Sequence, residues 1–119
     1  MQKDAHVSGV LGEIRAEQLL CQKGFSILAR NYRIPGAEID LVAAKDRLIV
    51  FAEIKLRRRG GAGRLAVTPA KQRRVSTAAL HYMAKNGLMD RQARFDVIEI
   101  QDARVTHIEN AFPYQGPAF

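Results

Sequence analysis

At 119 residues the chain fits one domain, and folding should remove roughly two thirds of the unfolded chain's surface from water, enough for a core without disulfide or metal staples. A composition of 47% hydrophobic and 26% charged residues argues against a disordered or membrane-spanning chain, and a single cysteine, Cys21, excludes zinc-finger and thioredoxin chemistry and is expected to fill a gap in the core. The net charge of +7 is uneven: Lys55 to Met89 holds nine basic residues and no Asp or Glu, which points to a polyanion-facing surface, with nucleic acid the expected partner.

The first segment, Met-Gln-Lys-Asp-Ala-His, lacks the apolar core of a signal peptide, and no apolar run approaches the roughly 20 residues that cross a bilayer. A cytoplasmic chain with no membrane partner is predicted. Helix one is expected from Ser8, acting as N-cap, to Lys23, with Gly24 as its stop. Val7, Val10, Leu11 and Ile14 follow helical spacing, and Leu19, Leu20 and Cys21 extend that apolar character.

Phe25 to Arg33 reads as a strand ended by the Ile34-Pro35-Gly36 turn. Ala37 to Ala44 and Arg47 to Leu56 follow as a hairpin around Lys45-Asp46, and both are apolar on both faces, as in strands covered by helices on each side. Arg57 to Leu65 is too glycine-rich and charged for a regular element and reads as a basic loop. Thr68-Pro69 opens a second helix with an N-cap and a proline at the first helical position. Val75, Ala78, Ala79, Tyr82 and Met83 form its apolar stripe, and Asn86-Gly87 closes it. Ala93 to Ile100 and Val105 to Ile108 complete the set as a hairpin around Asp102-Ala103. The predicted architecture is an α/β sandwich on a mixed sheet in the order α-β-β-β-α-β-β: one domain over 1–119, its core about 8–110 and a tail at 111–119.

The chemistry concentrates in the first hairpin. Glu38, Asp40, Glu53 and Lys55 lie inside apolar runs, where desolvating a charge is costly unless it is paired or holds a metal. With a two-residue loop at Lys45-Asp46, Asp40 opposes Phe51 and Glu38 opposes Glu53, so the four side chains converge on one side. Asp40 and Glu53 are then diagonal neighbours, Cα atoms roughly 7–8 Å apart, close enough to share one divalent cation. Clustered carboxylates repel one another, and a hard, oxygen-seeking cation, Mg²⁺ or Mn²⁺, relieves that repulsion.

Asp40 followed by Glu53-Ile54-Lys55 resembles the PD-(D/E)xK nuclease superfamily. Together with Gly12-Glu13 and Ala16, Asn31-Tyr32-Arg33, Glu38-Ile39-Asp40-Leu41, Lys71 and Arg94-Phe95-Asp96-Val97, the chain resembles the YraN-like family of uncharacterised bacterial proteins. The resemblance implies a restriction-endonuclease-like fold, close in style to archaeal Holliday-junction resolvases. It implies Asp40 and Glu53 as metal ligands, Lys55 as the residue that positions or activates water, and Glu13 as an auxiliary ligand, with Glu38 shared by the narrower family only. Two positions depart from the family pattern, Ala37 where Gly is usual and Leu56 where Thr is common; neither removes a ligand.

The expected activity is metal-dependent hydrolysis of phosphodiester bonds in DNA, on branched or structured substrates. Arg57, Arg58, Arg59 and Arg64 would clamp the backbone from the loop, with Lys71 and Arg74 approaching from the second helix. Cutting a junction symmetrically would suit a homodimer. The alternatives are a nucleic-acid-binding module that keeps the fold without turnover and, for Asp40, Glu53 and Lys55, a purely structural ion-pair network. Asp96 matches no catalytic spacing and is expected to hydrogen-bond a neighbouring strand or loop.

Overall fold

The computed structural model describes residues 5–57 and 67–116. Its elements run α1 (Ala5–Gln22), β1 (Ser26–Ile34), β2 (Ala37–Lys45), β3 (Leu48–Leu56), α2 (Pro69–Lys85), β4 (Gln92–Gln101) and β5 (Arg104–Phe112), the order expected from the sequence. The five strands form one sheet in the order β1-β2-β3-β4-β5. All neighbours are antiparallel except β3 and β4, which are parallel because the chain leaves β3 and returns through α2.

The two helices cover opposite faces, which is why the central strands are apolar on both. Toward α2, Ile49, Phe51, Phe95 and Val97 pack on Val75, Ala79, Tyr82 and Met83. Toward α1, Leu41, Val50, Ala52 and Ile98 pack on Ala16 and Leu20. Phe51, fully buried and 6.1 Å edge-on from Tyr82, anchors the first layer; truncating such a side chain costs about 3–5 kcal/mol.

The starts and stops of α2 follow their sequence signals. Thr68 caps it by accepting from the Lys71 amide at 3.2 Å, Pro69 occupies the first turn and Asn86 ends it. α1 differs from expectation. It begins at Ala5, so Ser8 lies inside it rather than capping it. Its buried stripe is Gly12, Ala16 and Leu20, at a strict four-residue spacing, while Val10, Leu11 and Ile14 are exposed. At Gly12 the helix passes the end of β3, where a Cβ would meet Leu56 Cδ2 at 2.8 Å and Ile100 Cδ1 at 3.5 Å, so the exposed Leu56 side chain would have to turn aside for a larger residue. Cys21, one position past the stripe, is about 100° around the helix and exposed rather than in the core.

The predicted tail at 111–119 begins too early. β5 continues to Phe112, which is buried and stacked on Phe95 at 5.1 Å, and Gln115 donates its amide to Ser76 Oγ at 2.8 Å. Residues 117–119 lie outside the described part.

Candidate functional site

The hairpin turn falls one residue later than predicted, at Asp46-Arg47, with Asp46 at φ 55°, so Lys45 pairs with Leu48 and Leu41 with Ala52. Relative to the expected register the partner moves by two residues, a slip that by itself leaves the faces of the hairpin unchanged. It also removes the diagonal: continuing the ladder by one residue sets Asp40 opposite Glu53 itself.

There the ladder gives way to side chains. The Ile54 amide donates to Asp40 Oδ2 at 2.8 Å, and the Asp40 amide lies 3.4 Å from Glu53 Oε2. The reason is visible in the alternation. Residues three apart on a regular strand point to opposite faces, yet Ala29 and Tyr32 of β1 both pack on the α2-side core, as do Ile39 and Val42 of β2. Both strands change face together where Asn31, at φ 50°, lies across from Asp40. Asp40 sits at this change of face, and its carboxylate takes an amide that a regular antiparallel ladder would give to a β2 carbonyl.

Glu53 lies on the α2 side of β3, 1% exposed, with Oε1 at 3.2 Å from Lys71 Nζ. Burial, and then the charge of Asp40, push its carboxyl from 4.5 up to about 7 against the pull of Lys71. Asp40 is also raised, first by burial, then by the charges of Glu38 and Glu13, while its bond from Ile54 and the nearness of Lys71 oppose the rise.

The other predicted residues fall around this pair at different distances. Lys55, two residues past Glu53, shares its face of β3 by alternation, is half-buried, and has no partner for its ammonium among the described residues. Glu38 pairs with Arg33. Glu13 is near enough to act on Asp40 through charge, but no group of three His, Cys, Asp or Glu side chains among the described residues gathers closely enough to hold a metal. Lys71 and Arg74 of α2 line a surface recess of about 320 Å³ with Arg33 and Glu38. Arg57 turns inward, Nη1 at 3.8 Å from Glu99 Oε1, instead of outward to a backbone. Arg58, Arg59 and Arg64 lie outside the described residues.

Glu99 escaped the sequence reading of the site, whereas Asp96 hydrogen-bonds a neighbouring strand as expected. Glu99 is buried on β4 in register with Lys55, and its Oε2 has no hydrogen-bond partner among the described residues. Its signal was available, since it alternates with Phe95 and Val97 and so had to share their covered face. Asp96, fully buried, accepts from Arg94 Nε at 2.8 Å and the Asn110 amide at 2.9 Å, and bonds His107 Nε2 at 2.7 Å. Burial alone would push its carboxyl up, but those donors outweigh it and hold it below the usual Asp range. Lys23 Nζ lies 2.8 Å from the other ring nitrogen of His107, so the network ties the end of α1 to β4 and β5.

Residues 12–100 match the model of an uncharacterised protein family, UPF0102, and this span covers every site residue above. The chain belongs to the UPF0102 family. Among UPF0102 relatives, it is 46% identical to one from Geobacter sulfurreducens over 113 residues, covering 89% of this chain and 88% of the relative. It is 47% identical to one from Pelobacter propionicus over 118 residues, covering 92% and 84%. A third, from Saccharophagus degradans, is 42% identical over 108 residues, covering 88% and 92%. The UPF0102 chain described here has no helix long and apolar enough to cross a membrane among its described residues.

Proposed function

We propose that this protein is a divalent-metal-dependent nuclease of PD-(D/E)xK type that hydrolyses phosphodiester bonds in DNA, with branched or otherwise structured DNA as its substrate. The observation that carries the reading is the juxtaposition of two carboxylates, the buried Glu53 and the half-buried Asp40, across the fork between β2 and β3, with Lys55 on the same strand as Glu53 and without an ammonium partner among the described residues. The donor set fits Mg²⁺ or Mn²⁺: hard carboxylate oxygens whose mutual repulsion is opposed chiefly by Lys71. When bound, such a cation supplies Lewis acidity and an acidified water to the phosphate.

The chain's own residues supply the rest. Asp40 and Glu53 hold the ion, with Glu13 and Glu38 acting from further out as charges. Lys55 sets an ammonium beside the phosphate, where negative charge builds during attack. Lys71, Arg74 and Arg33, around their shared recess, bind the phosphates that flank the cut. Symmetric cutting of a junction requires two copies of the chain.

A second reading, binding of nucleic acid without turnover, draws support from the Lys71–Glu53 ion pair, which neutralises one of the two carboxylates without any metal. One experiment separates the two. Labelled linear, flapped and four-way-junction DNA is incubated with Mg²⁺ or Mn²⁺ and the wild type, Glu53→Ala or Lys55→Ala. Cleavage by the wild type that both variants lose while still binding supports the nuclease; salt-sensitive binding with no cleavage under either metal supports the module.

A further inference from the structure

At the other end of α2 from the acid pair, a cavity of about 450 Å³ opens between the C-terminal half of the helix and strands β4 and β5, within the size range of small-ligand sites. Its lining is apolar: Leu80, Met83, Met89 and Pro113 join Phe95 and Phe112, which are 5% exposed and stacked on each other at 5.1 Å with 16° between their planes, and Tyr114 supplies an accessible aromatic side chain. Its mouth is open, with Met89 43% and Tyr114 36% exposed.

One polar group at this cavity lacks an acceptor. The Arg91 side chain is 31% exposed, but its Nε is buried with no hydrogen-bond partner among the described residues and lies 3.9 Å from Asp90 Oδ1. A buried guanidinium N–H left unpaired is costly, and an anion arriving in the cavity would supply the acceptor. Arg94, the other cation on the lining, is already bound to Asp96 and faces Glu109, so it holds the wall in place.

The surroundings select the kind of anion. Met89 ends the stretch from Lys55 that carries no acidic residue, and α2, which connects the acid pair to the cavity, holds Lys71, Arg73, Arg74 and Lys85 and no acid. From Lys71 to Met83 the helix covers about 18 Å, the reach of a few nucleotides. A flat apolar body with a phosphate at one edge matches an apolar lining that carries Tyr114 at its mouth and one unsatisfied arginine at its rim, since bases pack on aromatic side chains and Arg pairs with phosphate in a fork.

We propose that this cavity is a nucleotide-binding site, distinct from the acid pair, that takes one unpaired nucleotide with its base against the apolar lining and Tyr114 and its phosphate at Arg91. The nucleotide could be free or borne on a strand; the chemistry at the cavity is the same.

The test is amide chemical-shift mapping on the isotope-labelled full chain without divalent cations. It is titrated to about 10 mM with thymidine monophosphate and, separately, with a single-stranded thymidine oligomer. Shifts at Leu80, Ala93 and Asn110 are expected. Arg91→Gln should weaken the binding about tenfold, as loss of a charge-assisted hydrogen bond does, and Ala93→Leu, which fills the lining, should abolish it. Shifts with the monophosphate identify a free nucleotide, and shifts with the oligomer alone identify a strand-borne one. Absence of shifts at these amides with both ligands overturns the proposal, as does binding unchanged in Arg91→Gln or benzoate binding as tightly as the nucleotide. Because no step requires cleavage, an inert acid pair would leave these results standing, and the two readings fail separately.

Discussion

Glu53→Gln distinguishes a functional acid pair from a structural ion pair by the sign of its effect on stability. In the metal-free protein the Glu53 carboxyl rises from 4.5 to about 7, chiefly through burial and then through Asp40. A group raised by folding contributes fully below its unfolded pKa, and that contribution is lost as pH climbs through the folded value. Ionised Glu53 therefore costs the fold about 3 kcal/mol once the pH is well above 7 and almost nothing near pH 4. Glutamine has the same shape, can still accept from the Asp40 amide and does not ionise. Lys71, whose side chain is 37% exposed, can return to water when its partner is neutral.

Urea denaturation in chelator at about pH 5 and about pH 8.5 should show Glu53→Gln gaining about 3 kcal/mol on the wild type between the two conditions, on the order of 10 °C in melting temperature at the alkaline end. An ion pair retained for stability gives the reverse: removing one partner of a buried pair costs about 3–5 kcal/mol. A variant that is less stable than wild type at alkaline pH, or whose difference from wild type does not change with pH, refutes the reasoning.

Three further outcomes follow from the same geometry. Calorimetric titration with Mn²⁺ should give binding heat for the wild type and none for Asp40→Ala; a wild type without heat would remove the metal from the proposal. Asp96→Ala should cost about 3–5 kcal/mol in urea unfolding, because Arg94 and His107 lose a buried acceptor, and a loss under about 1 kcal/mol would contradict the network. Arg30→Ala, which removes a partner of Glu17 whose own side chain is 61% exposed, should leave the urea midpoint of the same assay unchanged within its scatter, and a clear loss would mean that exposed pairs carry unexpected weight in this fold.

Much of this was legible in the residues because local signals and the global fold agree. Thr68-Pro69 and Asn86-Gly87 bound α2 within a residue of their positions because capping is a local affair of side chain and backbone. The doubly apolar runs of β2 and β3 announced helices on both faces. What failed were properties set by long-range contact. Val10, Leu11 and Ile14 have helical spacing, yet they are exposed because the sheet meets α1 along Gly12, Ala16 and Leu20, where small residues allow close approach. The change of face at Asn31 and Asp40 leaves no mark in either strand alone, since each reads as a plausible alternation. Convergence of Asp40 and Glu53 was nonetheless expected, because sliding a hairpin by two residues leaves its faces intact. Glu99 went unnoticed as a site neighbour because its closeness to Lys55 depends on a parallel pairing made through a helix.

Asp40 does two jobs with one carboxylate, since it props open the junction of β2 and β3 as well as presenting charge there. Glu53 holds the same junction more loosely, its carboxylate 3.4 Å from the Asp40 amide against 2.8 Å for the bond that Asp40 takes from Ile54. Replacing Asp40 would force the two strands to re-zip, whereas replacing Glu53 by glutamine would leave the fork as it stands, so an aspartate at this position testifies to architecture whatever chemistry the pair performs.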